Sequence, residues 1–351
     1  VFLAEEEPPD MRIQSPIGHR RHTLGLFAAS SVVALALGAA ACSASDEEES
    51  ARSGATEMQP ETFTFAPPDG TRGVRTESHR YEASLVGAPL RNLEERELRW
   101  NVETKRNGDQ FVVTQALAHV TVKHDGETLL DKDVKPGVVV AQLLIDKAGN
   151  LVDVRGLEGA SKPLEELFTP GARPEATREF SPQSLKAFVA TRYEETLGDI
   201  VGRPTKVGTS WTTQGRSGGP VISRTVTVQK TEPCGAATCA RLQAIYKLNP
   251  RMMLSIADDI VAEYARMIGR APSKVDVQTA MYSMQGALLT EPATMLSHGA
   301  SLDETGKILF EGPKKQMEID LQGKTEISFE YAKPVASQPV APAVTPVAAR
   351  P

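Results

Sequence analysis

Apolar and polar residues alternate in short runs along most of this chain, the mark of half-buried strands whose side chains point to opposite faces in turn. Leu98-Arg99-Trp100-Asn101-Val102-Glu103-Thr104 places Leu98, Trp100 and Val102 on one face. His79 to Val86 predicts a strand before it and Gln110 to Lys123 one after it. Asn107-Gly108 between them reads as a type I′ hairpin turn, which needs φ > 0 at both central positions. Asp125-Gly126 turns the chain into a short strand at Thr128 to Leu130. Val138 to Ile145 is a more buried strand, and Asp146 to Asn150 turns it into Leu151 to Arg155. Connections this short join only antiparallel neighbours.

Helical spacing interrupts the strands twice, apart from a short helix at Leu164 to Phe168. Ser181 can cap a helix that has Pro182 in its first turn, Leu185, Phe188, Val189 and Tyr193 on one side and Gly202-Arg203-Pro204 closing it. Pro250 to Gly269 is the second main helix, with Met253, Ile256, Ile260, Tyr264 and Met267 on one face and Gly269 in C-cap position. Between them lie strands at Thr209 to Thr212, Val221 to Lys230 and Ala240 to Leu248. Four more follow, at Val275 to Thr290, Thr294 to Leu302, Lys307 to Phe310 and Gln316 to Tyr331. Asp303-Glu304-Thr305-Gly306 echoes the Asp146 to Asn150 turn and reads as the same generic D-x-x-G turn. The predicted fold is α+β: an antiparallel β meander, curved or half-barrel, with two main helices. It spans residues 76–331, either as one domain or as two β-halves split near 180–205.

The flanks carry different patterns. Arg12, Arg20 and Arg21 precede an uncharged apolar run of 14 residues, Leu24 to Leu37, and then Gly38-Ala39-Ala40-Ala41 before Cys42. That is the three-part form of an export signal over residues 1–41. As a helix the run spans about 21 Å, short of a ~30 Å hydrocarbon core. Residues 1–10 put three glutamates ahead of the basic region, which suggests a start assigned too early and Met11 as initiator. Residues 42–75, acidic and then rich in Gly, Pro, Ser and Thr, read as a disordered tether, and the Pro/Ala-rich residues 332–351 as a disordered tail.

Charge and motifs exclude more than they suggest. The net charge of −6 and the absence of any Lys/Arg-rich stripe argue against a nucleic-acid partner. No G-x-S-x-G, H-E-x-x-H, Walker A or G-x-G-x-x-G motif occurs, and the histidines are scattered without a second ligand type at metal spacing. Adjacent carboxylates such as Asp258-Asp259 diverge by about 100° on a helix, so they do not form an acid/base pair. Ser210 has no local partner. The chain therefore reads as a protein that is not an enzyme and needs no metal or cofactor.

Two compositional features remain. The three cysteines are Cys42, Cys234 and Cys239, and the last pair flanks a hairpin tip at C-x4-C spacing, suited to a disulfide in an exported protein. Six of nine methionines fall between Met252 and Met295. Methionine is flexible and polarizable, so Met253, Met267, Met281 and Met284 are candidates to line an apolar ligand site, with gap-filling in an aromatic-poor core as the alternative.

The run ending at Cys42 resembles a bacterial lipoprotein signal, departing from it at Ala39, where that family usually has Leu. The resemblance implies that Cys42 is lipidated and anchors the chain in a membrane of the cell envelope, facing periplasm or cell surface. The alternative is ordinary cleavage and secretion. The ordered region resembles uncharacterised predicted lipoproteins of Gram-negative bacteria, through Leu98-Arg99-Trp100, Ile145-Asp146-Lys147-Ala148-Gly149-Asn150, the Val201 to Trp211 segment and Leu289-Thr290-Glu291-Pro292. More remotely it is similar to the half-barrel of periplasmic lipoprotein carriers, which implies an apolar cavity. The expected function is binding of an apolar ligand or lipid in the envelope. A structural or protein-interaction lipoprotein is the alternative, and a secreted hydrolase the third.

Overall fold

The computed structural model describes residues 60–87, 91–168, 181–215, 219–267, 277–311 and 316–332. The first half contains β1 (Arg72–Leu85), β2 (Arg91–Asn107), β3 (Gln110–His124), β4 (Glu127–Asp133), β5 (Val140–Asp146), β6 (Leu151–Arg155), α1 (Ser161–Phe168) and α2 (Pro182–Tyr193). A π-helical turn, Glu194–Gly198, extends α2. The second half contains β7 (Ser210–Gln214), β8 (Val221–Cys234), β9 (Ala237–Leu248), α3 (Pro250–Met267), β10 (Val277–Thr290), β11 (Ser297–Glu311) and β12 (Gln316–Tyr331).

The twelve strands among the described residues belong to one open, antiparallel sheet in the order β6-β5-β3-β2-β1-β12-β11-β10-β9-β8-β7, with β4 also pairing β3. The halves meet where the first strand pairs the last, for example at His79↔Thr325 and Ala83↔Leu321. The α+β meander is therefore one continuous sheet. At Ala118 the pairing of β2 with β3 shifts by one residue, and β3 changes partner there: residues 119–124 pair β4 and residues 110–116 pair β5. Such a bulge bends its strand and sharpens the local twist.

Both main helices cover the same face of the sheet, at opposite ends. Ser181 caps α2, its side chain accepting from the Ser184 N–H, and Pro182 takes the first turn. α3 lays Ala257, Ile260, Val261 and Tyr264 on Ala83, Leu85, Ile308, Phe310, Ile319 and Leu321, and the Tyr264 hydroxyl donates to Ala83 O at 2.7 Å. A second apolar field, under α1 and α2, gathers Phe63, Phe65, Leu98, Phe111, Leu117 and Tyr193.

Several boundaries differ from the sequence reading. The expected tether through Arg75 is corrected at its end. Residues 60–66 pack as an extended segment, with Phe63 and Phe65 buried, and hydrogen-bond the 202–205 turn and the 292–294 loop. Two phenylalanines in an otherwise polar stretch give no period, so their burial depends on docking sites elsewhere in the chain. β2 starts at Arg91, seven residues before the expected strand, because its inward positions there are Asn92, Glu94 and Arg96. The first hairpin turn is Gly108-Asp109, since Asn107 pairs Gln110. Only Gly108 takes positive φ (59°), the type II′ pattern and not I′.

The expected turn at Asp303 to Gly306 does not exist: β11 runs through it unbroken. Gly306 is there because the Tyr282 ring lies across it, and a Cβ would stand 2.8 Å from that ring. Gly306→Ala is expected to cost about 1–3 kcal/mol through overpacking, read as a lower midpoint in urea unfolding. No loss would mean that the ring swings away freely. Residues 1–59, including the signal and Cys42, and the tail 333–351 lie outside the described residues, as does Gly269.

Candidate functional site

Strand parity decides what enters the concave face. On β1 the inward residues are Arg75, Glu77, His79, Tyr81, Ala83 and Leu85, and on β2 they are Asn92, Glu94, Arg96, Leu98, Trp100, Val102 and Thr104. The β1–β2 register sets Arg75 opposite Trp100, His79 opposite Arg96 and Tyr81 opposite Glu94. A charged patch therefore crosses the middle of an otherwise apolar face and separates the two apolar fields.

Its charges are matched within the sheet. Arg75 pairs Glu77, and Arg96 pairs Glu94, each pair two residues apart on one strand and hence side by side. Arg75 also donates from Nη1 to Gln115 Oε1 at 3.0 Å and lies over the Trp100 ring, 5.4 Å from its centroid. His79 sets Nδ1 3.0 Å from Thr325 Oγ1 and Nε2 3.5 Å from Glu77 Oε2. Glu77 is 2% exposed and Arg96 7%, so each charge needs its partner to stay inside.

Above this patch, under α1 and α2, lies a cavity of about 280 Å³. Its walls are Leu98, Trp100, Val113, Leu117, Ala141, Leu143, Leu288, Ala300, Ile327 and Phe329 from the sheet, with Leu164, Leu185, Val189 and Leu197 as the cover. Phe65 closes one side, edge-on to Phe111 and to Tyr193. Arg75, Glu77, Arg96, Thr104 and Gln115 contribute its polar lining from the sheet. Tyr193 and Tyr331 donate their hydroxyls to Gly149 O at 2.7 Å and Ser297 O at 2.9 Å. Burial holds both phenols well above their ordinary pKa, so they stay neutral.

The methionines fall elsewhere. Met253 and Met284 meet at a smaller cavity of about 70 Å³, with Tyr81, Tyr282 and Glu304, between the charged patch and α3. Met281 is 53% exposed and lines neither cavity. Positions 281 and 284 have opposite parity on a strand, so the expectation that both line one pocket is corrected. Met267 closes α3, but its side chain lies outside the described residues. Met295 does line the larger cavity. What the sequence reading missed is the charged patch and the residues around it. The one available signal was Arg91 to Glu97 continuing the alternation of Leu98 to Val102 with charged residues in the apolar places.

Cys234 and Cys239 are joined, with Cα atoms 5.7 Å apart, and pack on Leu289. Reducing this bond is expected to cost about 2 kcal/mol, the low end for a disulfide because the closed loop is short. Urea midpoints with and without reductant would measure it, and unchanged midpoints would show that the bond adds nothing to stability. A ring nitrogen of His298 lies within 4.8 Å of both sulfurs, brought there by β11. Sulfurs bonded to each other offer no thiolate to a metal, and His298 Nε2 sits 2.8 Å from Glu291 Oε1. That bond, helped by the Thr294 hydroxyl, holds the Glu291 carboxyl below its usual range against the opposing effect of burial. Ser210, the isolated hydroxyl of the sequence reading, pairs with Thr227 Oγ1 at 2.7 Å on the exposed side of β7 and β8.

No protein-family model and no curated protein sequence matches the chain. Similar solved structures are remote. DynF from the dynemicin biosynthesis pathway of Micromonospora chersina is 9% identical, with 81% of this chain and 94% of that one covered and a TM-score of 0.19. A protein with a YmcC-like fold from Bacteroides fragilis is 10% identical, with 77% and 99% covered and a TM-score of 0.22. A β-barrel-like protein of a domain of unknown function from Brucella abortus is 10% identical, with 77% and 100% covered and a TM-score of 0.20. At these scores the likenesses carry no argument about this chain.

Proposed function

We propose that this chain is an exported cell-envelope binding protein that encloses an apolar ligand in the cavity beneath α2, and that it acts by binding and not by catalysis. The observation that carries this reading is the cavity itself: apolar side chains from six strands and two helices converge on about 280 Å³. That volume is near the lower end of the roughly 300–1,000 Å³ of small-molecule sites. Buried carboxylates in such a place suggest acid/base work, but Glu77 and Glu94 are each matched by a neighbouring arginine. They serve better to hold the sheet in register than to move protons. The test is displacement of an environment-sensitive apolar dye from the mature protein by fatty acids or phospholipid, together with native mass spectrometry of the protein as purified. Dye binding no stronger than to an unrelated folded protein, with no retained small molecule, would favour the packed structural lipoprotein instead.

The anchor belongs to the same proposal. Among the described residues no helix is long and apolar enough to cross a membrane. On this reading attachment is through lipid on Cys42, which would keep the cavity beside a supply of apolar molecules. Cys42→Ala is expected to move the protein from the detergent-extracted membrane fraction to the soluble envelope fraction. A wild-type protein that is already soluble and starts at an unmodified Cys42 would show ordinary secretion.

A further inference from the structure

Three side chains of metal-ligating type, from distant parts of the chain, meet at one end of the sheet. Cys234 and Cys239 are joined across the tip of the β8–β9 hairpin, and β11 brings His298 to them from the far side of β10. The register accounts for the meeting: Thr290 of β10 pairs Ala240 on one side and Ser297 on the other, so Cys239 and His298 each lie one residue from that shared position. A ring nitrogen and the two sulfurs all lie within 4.8 Å of one another. Neither these residues nor Glu291 line either cavity described above, so the site stands apart from the proposed binding function.

The setting of His298 goes beyond proximity. Its Nε2 lies 2.8 Å from Glu291 Oε1, and the other carboxylate oxygen accepts from the Thr294 hydroxyl at 2.6 Å. An ionised carboxylate only accepts, so Nε2 carries the proton, and the neutral ring then has its lone pair on Nδ1. A carboxylate on one ring nitrogen is the usual support of a metal-binding histidine, because it fixes the tautomer and makes the imidazole a stronger ligand. Glu291 is itself held in place: its N–H donates to Leu296 O and its carbonyl accepts from the Met295 N–H, both at 2.9 Å. Tyr331 stands edge to face with the imidazole, ring centroids 5.7 Å apart.

Size and charge fit one metal ion. Tetrahedral Zn²⁺ with bonds of about 2.0–2.3 Å sets its sulfur and nitrogen ligands about 3.5–3.8 Å apart. Once reduced, the sulfurs need to part by only about 1.7 Å to reach that spacing. Cys234 is 7% exposed and Cys239 0%, a place where two free thiolates are costly but two thiolates on a dication carry no net charge. We propose that the reduced protein binds Zn²⁺ between the thiolates of Cys234 and Cys239 and the His298 imidazole, with Glu291 as the positioning residue, and that the disulfide is the metal-free form of the same site. A dithiol reductant passes two electrons and two protons to the disulfide, leaving two protein thiols and its own cyclic disulfide. Zn²⁺ then displaces both thiol protons to solvent without changing oxidation state, and water takes the fourth position.

Co²⁺ serves as the spectroscopic stand-in for Zn²⁺ in the test. Purified mature protein is reduced with dithiothreitol without oxygen, freed of the reductant and titrated. The reduced protein is expected to take up Co²⁺ with a thiolate-to-cobalt charge-transfer band that Zn²⁺ abolishes. The oxidised protein, and the double variant Cys234→Ser with Cys239→Ser, should show no such band. His298→Ala is expected to weaken affinity at least tenfold, and Glu291→Ala by about 10–100-fold. Glu291→Gln, whose amide oxygen still accepts from Nε2, should lose less. Absence of the band in reduced wild type overturns the site, and so does an equal band in the oxidised protein or the double variant, which would put the metal on another sulfur. Unchanged affinity in His298→Ala overturns the part given to the imidazole, and equal losses in the two Glu291 variants overturn the orienting role. Wild type in its two redox states needs no substitution, so the site is decided even if a variant fails to fold.

Discussion

Glu77→Ala is expected to cost about 3 kcal/mol, a large part of the roughly 5–15 kcal/mol by which a domain is stable. Glu77 is almost completely buried and is the partner of Arg75, so its removal takes a matching carboxylate from a guanidinium that also holds Gln115 and lies over the Trp100 ring at the wall of an apolar cavity. The estimate sits at the low end of about 3–5 kcal/mol for a broken buried pair, because the Arg75 side chain keeps 19% of its exposure and can reorient. The control decides the interpretation. Replacing both partners by apolar residues, Arg75→Met with Glu77→Leu, removes two desolvation penalties at once and is expected to recover most of the loss. Equilibrium urea unfolding of the two singles and the double gives the coupling. A single-variant cost below about 1 kcal/mol would mean that the pair behaves as a surface ion pair and that water reaches it.

Filling the cavity is expected to have the other large effect, on binding instead of stability. Ala300→Phe puts a ring into the cavity from β11, between Leu288 and Ile327 of the adjoining strands, all three being wall residues. Dye and ligand affinity should fall by at least tenfold, while the urea midpoint stays the same or rises, since an added side chain fills space that was empty. Ala257→Phe is the contrasting variant. Ala257 is fully buried where α3 packs on the sheet, away from the cavity, and overpacking there is expected to cost about 1–3 kcal/mol. The folded fraction of Ala257→Phe should still bind. If Ala300→Phe destabilises as much as Ala257→Phe and binding survives, the cavity is closed in solution and the ligand sits elsewhere.

The contrast between these two positions also shows where reading the chain from its residues succeeds. Alternation is local: once Leu98, Trp100 and Val102 are seen to share a face, so must the rest of the strand, and the hairpins follow from turn chemistry at Asp125-Gly126 and Asp146 to Asn150. The Ser181 cap and the Pro182 first turn of α2, and the apolar face of α3, are local in the same sense. Asp303 to Gly306 looked local and was not. A glycine next to acidic residues usually breaks a strand, but here it leaves room for a tyrosine from the neighbouring strand, and no pattern within β11 records what β10 brings to it.

By itself, then, the sequence determined the antiparallel α+β character, most of the strands, the α2 and α3 helices and the pairing of neighbours along the meander, because each depends on residues within a few positions of one another. The tertiary structure alone decided that β1 joins β12, that Phe63 and Phe65 are core, and that the larger cavity lies under α2 with Trp100 at its wall, away from Met281 and Met284. It also decided that Glu77, Glu94 and Arg96 face inward. A charge can be buried only when its partners and packing are supplied in space: beside these three, Arg75 and His79 are met by Gln115 from β3 and Thr325 from β12, residues that hydrophobic patterning along β1 and β2 could not reveal.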